Sequence, residues 1–196
     1  MSQSQQQPEI ADNLLTPRQG VNLLYILAAG HATCLTVFMR HSFGTHALGR
    51  NGVVALLLIL FYLCGTEDPT MLLFLWAWLA ALIYQRFKTY RVWRSGAVWH
   101  SKYDGYPALA MKLPFVRTEG SAKSLEPVFC ILAGAALCPW SEAVGAYVFL
   151  GFASLLVVRA FETQSTVNRV RAMQDAAIEQ RNMASMFRGD FHVNDF

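Results

Sequence analysis

Residues 56–84 read LLLILFYLCGTEDPTMLLFLWAWLAALIY, two dense apolar blocks parted by GTEDPT. This clustering restricts the fold more than any motif in the chain. A helix running straight through Pro69 would lose a backbone hydrogen bond and clash with its own preceding turn. Asp68 is a good N-cap residue, and proline is favoured at the first helical position. The stretch is therefore read as a helical hairpin. One helix ends at Gly65, the next starts at Pro69, and Glu67 and Asp68 form the tip.

The same plan recurs further on. Apolar segments occupy 21–39, 52–64, 71–84, 127–138 and 143–158, and the last two flank PWSE, where Ser141 is a plausible N-cap. A straight span needs roughly 20 apolar residues. Only 21–39 reaches that length alone, so the others must borrow polar flanks, and 127–138 is the weakest. Hydrophobic residues make up 54% of the chain and charged ones 15%, against about 25% charged in soluble domains. The expectation is an all-α integral membrane bundle of about five transmembrane helices, over 21–39, 51–66, 69–85, 126–138 and 142–158. A polar tail (1–20), a cytoplasmic loop (86–125) and a cytoplasmic C-terminal helix and tail (159–196) complete it. The Gln/Ser-rich start has no basic n-region and is not read as a signal peptide.

Charge orients the hairpins. Their tips carry Glu67, Asp68 and Glu142 without Lys or Arg, whereas Arg40, Arg50, Arg86, Lys88, Arg91, Arg94 and Lys102 follow the first and third segments. The Lys/Arg bias assigns the basic loops to the cytoplasm and the acidic tips to the outside. A multi-pass protein of the cell membrane follows, with a bacterial inner membrane as the first choice and the C-terminus cytoplasmic. If 21–39 only lies along the surface, four spans remain. A net charge of +3 does not point to nucleic acid.

Four places invite a functional reading. RHSFGTH sets His41 and His46 five apart with no carboxylate between them, so the i, i+4 geometry of two-histidine zinc sites is missing. The plainer reading is an interfacial loop. WHSKYDGYP gathers Trp99, His100, Ser101, Lys102, Tyr103, Asp104 and Tyr106. Adjacency of Ser, His and Asp does not make a relay, and no G-x-S-x-G elbow is present. Aromatic residues beside cations describe an interface or a partner-docking loop. His31, inside the first segment, is read as polar glue between closely packed helices rather than as an ion relay. Arg86, Lys88, Arg91 and Arg94 form a basic run with Phe87, Tyr90 and Trp93 spaced among them, read first as an orientation signal.

Four cysteines, Cys34, Cys64, Cys130 and Cys138, sit in or beside apolar blocks without metal-ligand spacing, which suits small buried hydrophobes. A Cys64–Cys138 bond is conceivable, since both precede acidic turns. No cofactor and no metal are expected. The leading expectation is a non-catalytic subunit or scaffold. It would dock a cytoplasmic partner, or a second copy, through 99–107 and the C-terminal helix. The alternatives are an oligomeric channel or transporter for small solutes, and a membrane enzyme using His41, His46, His100 or Asp104. Residues 161–187 contain no Gly or Pro and carry a thin Val170, Met173, Ala177, Met183, Phe187 stripe.

Overall fold

The structure, a computed structural model, describes residues 17–44, 47–96 and 103–188. Five helices follow one another: α1 (Pro17–Met39), α2 (Gly49–Thr66), α3 (Thr70–Arg94), α4 (Glu119–Leu137) and α5 (Glu142–Arg188). A single 3₁₀ turn, Ala110–Lys112, lies between α3 and α4. No strand is present among the described residues, and one isolated antiparallel bridge joins His41 to Tyr106. The chain divides into two units, Met1–Val158 and Arg159–Phe196.

Four helices are long and apolar enough to cross a membrane: Gly20–Met39 of α1, then α2, α3 and α5. α4 is the exception. It has 19 residues, but Glu119, Lys123 and Glu126 occupy its first half. It starts ahead of the apolar block 127–138 because Thr118 and Ser121 form a reciprocal capping box. Pro127 lies within the helix rather than at its start. α1 likewise starts earlier than the apolar pattern, at Pro17, where a proline's missing N–H costs nothing.

The first hairpin tip differs from the sequence reading by a residue or two. α2 continues past Gly65 to Thr66, and Glu67 takes the left-handed conformation (φ 52°) with its N–H on the Leu63 carbonyl. α3 starts at Thr70 with Pro69 in the cap position, one residue later than read, and Asp68 still bonds that start, accepting from the Thr70 N–H at 2.9 Å and from the Thr70 hydroxyl at 2.7 Å. Ser141 caps α5 through the Val144 N–H at 3.1 Å and also donates to Asp68 at 2.9 Å. One hydrogen-bonded layer therefore joins both hairpin tips.

Inside the first unit a core of Cys34, Leu35, Ala55, Ile59, Met71, Trp78, Cys130, Tyr147 and Leu155 links all five helices. The outward faces are just as apolar. Val53, Leu57 and Phe61 on α2 and Leu73, Trp76 and Ile83 on α3 are all exposed. α4 approaches α5 closely at Gly134, where a Cβ would stand 2.7 Å from the Phe149 backbone nitrogen. Small residues permit such contact between apolar helices. All four cysteines are free, and Cys64 and Cys138 are exposed.

Candidate functional site

The chemistry-bearing residues collect where α1 ends. A helix terminus leaves its last carbonyls without partners, and here other elements supply the donors. Gln85 of α3, buried, donates to the carbonyls of Val37 (3.3 Å) and Arg40 (2.8 Å). The Leu109 N–H reaches the Met39 carbonyl at 3.3 Å. The Thr89 hydroxyl donates to the Phe43 carbonyl at 3.2 Å. Together these contacts bind the turn after α1 to α3 and to the segment ahead of α4.

Arg40 stands at the centre. Its guanidinium forks onto Glu126 of α4, with Nε at 2.8 Å from Oε1 and Nη2 on Oε2, and Nη1 donates to the Asp104 carbonyl at 3.2 Å. Arg40 is 8% exposed and Glu126 1%. Paired guanidinium and carboxylate match in planar geometry, so both charges are satisfied away from water. The sequence reading counted Arg40 as a loop cation facing headgroups. The structure turns it inward, onto the buried carboxylate of Glu126.

Residues 103–107 fold over this pair. His41 and Tyr106 exchange backbone hydrogen bonds at 3.0 and 2.7 Å, and their rings stack 5.2 Å apart. The Gly44 N–H reaches the Tyr103 carbonyl at 2.8 Å. Gly105 has φ 91°, and a Cβ there would lie 3.0 Å from Phe43 and 3.1 Å from Arg40. Only glycine suits both that conformation and that space. The Tyr103 hydroxyl donates to Glu119 at 2.9 Å, and Lys123 pairs with Glu119 at 2.8 Å while lying over the Tyr103 ring. Burial, then the Glu119 carboxylate, pushes the Tyr103 phenol up to about 12. Lys123 holds the Glu119 carboxyl below its ordinary value, with help from Tyr103.

Of the residues singled out in the sequence, Tyr103, Asp104, Tyr106 and His41 are thus brought together, each through ring or backbone contacts. Asp104 contributes its carbonyl, and its side chain is exposed. His46, Trp99, His100, Ser101 and Lys102 lie outside the described residues, as do 1–16 and 189–196. Arg86 and Lys88 are half-buried, and Arg91 and Arg94 exposed, on the last turns of α3. Among the described residues no three His, Cys, Asp or Glu side chains are placed to share a metal ion.

His31 lies apart from that end, midway along α1. Its Nδ1 is 2.7 Å from the Ser154 hydroxyl of α5, and its ring meets Tyr147 edge-on at 4.5 Å. The Tyr147 hydroxyl is 3.2 Å from the Cys34 sulfur. These groups stand beside a lateral groove of about 370 Å³ walled by Leu24, Leu27, Phe61, Tyr62 and Leu150. The imidazole joins α1 to α5, which is the work of a polar tie between apolar helices.

Glu126 and Gln85 escaped the sequence reading. A weak signal existed: Glu119, Lys123 and Glu126 recur at helical spacing ahead of an apolar block. Comparison with protein-family models, with curated proteins and with solved structures gives no match.

Proposed function

We propose that the protein is a non-catalytic, multi-pass subunit or scaffold of the cell membrane, docking a protein partner through the helical segment 159–188. The outward apolar faces of α2 and α3 support a bilayer around the first unit, since such surface is costly in water. The acidic tip layer at Asp68 and Ser141 faces outside, and the Arg40 end with the basic run of α3 faces the cytoplasm, in accordance with the Lys/Arg bias. α4 is the fifth span. Its middle is bonded to the turn after α1 through Glu126, and the turn after it is bonded to the start of α3 through Ser141.

The observation that carries the docking role is the surface of the second unit. Residues 163–181 are exposed on every side of the helix, Val170, Met173 and Ile178 among them, and Met183, Met186 and Phe187 continue the apolar exposure. Most helix stability comes from tertiary packing of an apolar face. Methionines suit an adaptable contact. Over 161–187, Arg169, Arg171 and Arg181 are balanced by Glu162, Asp175 and Glu179, with Arg159 and Arg188 only at the two ends of the segment, which disfavours a membrane surface as the occupant, since such helices are cation-rich. The partner is therefore a protein, either a second copy or another subunit. Residues 103–107 close over Arg40 at the end read as cytoplasmic, and 99–102, the rest of the expected docking loop, lie outside the described residues.

The test is deletion of 166–196. The expected result is loss of the oligomer or of a co-purifying subunit, with the membrane bundle still folded and still resistant to alkaline extraction. An unchanged complex would remove this helix as the docking element. Release of the full-length chain by alkaline carbonate would overturn the membrane reading itself.

A further inference from the structure

The last turns of α3 carry cations and large aromatic side chains in one band. Phe87, Tyr90 and Trp93 are 59%, 51% and 65% exposed. Arg91 and Arg94 are exposed beside them, and the Arg91 guanidinium lies 6.0 Å from the Phe87 ring centroid. At about 100° per residue, Phe87, Tyr90, Arg91, Trp93 and Arg94 fall within one half of the helix circumference. The band continues directly from the exposed apolar face that includes Ile83 and Tyr84.

Charge at this end is predominantly basic. No Asp or Glu occurs from 69 to 103, and the exposed Asp104 is the first acidic side chain after the band. The nearby glutamates are engaged internally, Glu126 with Arg40 and Glu119 with Lys123. Lys112 and Arg117, exposed in the segment ahead of α4, add further cations. Guanidinium groups present paired donors that match phosphate oxygens. Trp and Tyr rings prefer the headgroup level of a bilayer. Depth, charge sign and donor geometry therefore coincide on one ligand chemistry.

We infer that this band, centred on Arg91 and Arg94, is a binding surface selective for anionic phospholipid headgroups over zwitterionic ones. The inference rests on the membrane reading above and goes beyond it, because an orientation signal needs only the charge and not a selective lipid contact. An acidic protein partner is the competing occupant. It is disfavoured by the exposed aromatic side chains, which are continuous with the bilayer-facing surface of α3.

The chain has five tryptophans, so variants retaining one each, with Phe at the rest, report on separate places. Protein reconstituted in phosphatidylcholine is mixed with brominated phosphatidylglycerol or brominated phosphatidylcholine, and quenching gives the relative affinity of the two lipids at each tryptophan. At Trp93 a preference for the anionic lipid of about fivefold or more is expected, from about 1 kcal/mol for each cation near an anionic headgroup. Arg91→Gln with Arg94→Gln should bring the ratio to near one, and Arg91→Lys with Arg94→Lys should keep most of it. At Trp140, beside the acidic tip, the ratio should be near one throughout. Equal quenching by both lipids at Trp93, or a preference unchanged by the glutamine pair, would overturn the inference and leave the membrane reading intact. Absence of quenching at Trp76, on the exposed apolar face of α3, would overturn the membrane reading first.

Discussion

Arg40 and Glu126 are separated by 86 positions in sequence and share one buried fork. Nothing local in the chain announces that pairing, which is why Arg40 reads as a loop cation until the fold is known. A buried pair contributes little net stability against an apolar replacement, but a broken one leaves a charge uncompensated. Arg40→Met or Glu126→Leu alone should therefore cost about 3–5 kcal/mol. The double variant should recover most of that loss, and a thermal-unfolding double-mutant cycle in detergent would measure the coupling. Additive losses would mean that the fork is incidental. Asp68 was legible, because a cap and its proline are adjacent. The Thr70 hydroxyl and amide, then the Ser141 hydroxyl, hold its carboxyl below the ordinary value of 3.8. A depressed carboxyl stabilises the fold above its unfolded pKa, and that contribution is lost as pH falls through the lowered folded value. The unfolding midpoint should consequently drop below about pH 4. Asp68→Asn should flatten part of that acid limb, the remainder belonging to Glu119, which is shifted in the same direction. At neutral pH Ser141→Ala should lower the midpoint by about 2–4 °C through the lost cap.

Helices were legible wherever punctuation and apolar pattern agree. Pro69 with Asp68, and Ser141 after Pro139, mark two hairpins that the structure contains. The lack of Gly and Pro over 161–187 let a C-terminal helix be read there, but as an element separate from a span ending at Val158, whereas the structure has a single helix, Glu142–Arg188. The start of α4 was not legible. Its first two turns are polar, and what makes them helical is the Thr118 cap together with burial of Ala122 and Glu126 against elements far off in sequence. The contact between α4 and α5 is also tertiary, and it sets a sharp requirement at Gly134. A side chain there meets backbone, not a movable rotamer. Gly134→Val should separate the two helices and cost about 1–3 kcal/mol, seen as a lower thermal midpoint and lower yield of folded protein in detergent. Gly120→Val offers a control, because nothing lies within 4 Å of a Cβ at that exposed position. If the two substitutions proved equally mild, the close approach of α4 to α5 would be wrong.

Taken as a whole, the first unit has two polar layers, and their separation is set by the chain. α3 carries Thr70 in the Asp68–Ser141 layer and Gln85 in the Arg40 layer, fifteen residues apart. Glu126, within α4, and Ser141, in the turn after it, are also fifteen apart. At about 1.5 Å per residue that is roughly 22 Å along a helix, less than the roughly 30 Å of a typical hydrocarbon core. The short apolar blocks were visible in the sequence as a deficit in length. The layers that bound them were not, because each is made of groups from different helices. On the proposed membrane reading, lipid around so thin a slab would adapt by thinning, at fractions of a kcal/mol per ångström. Orientation is tested separately. With the native cysteines removed, a cysteine at Glu67 should react with an impermeant reagent in intact cells and one at Arg91 should not. Thickness is tested by stability. In dimyristoyl phosphatidylcholine the thin slab is nearly matched, whereas in dierucoyl phosphatidylcholine every span is short and the Arg40 layer is drawn toward hydrocarbon. Thermal midpoints should therefore fall steadily as the acyl chains lengthen. Arg40→Met with Glu126→Leu should lessen the fall, since that variant has no charge at the inner layer to be drawn in. A midpoint that rises with chain length, or a fall of the same size in the double variant, would show that the two layers do not bound the membrane-facing slab.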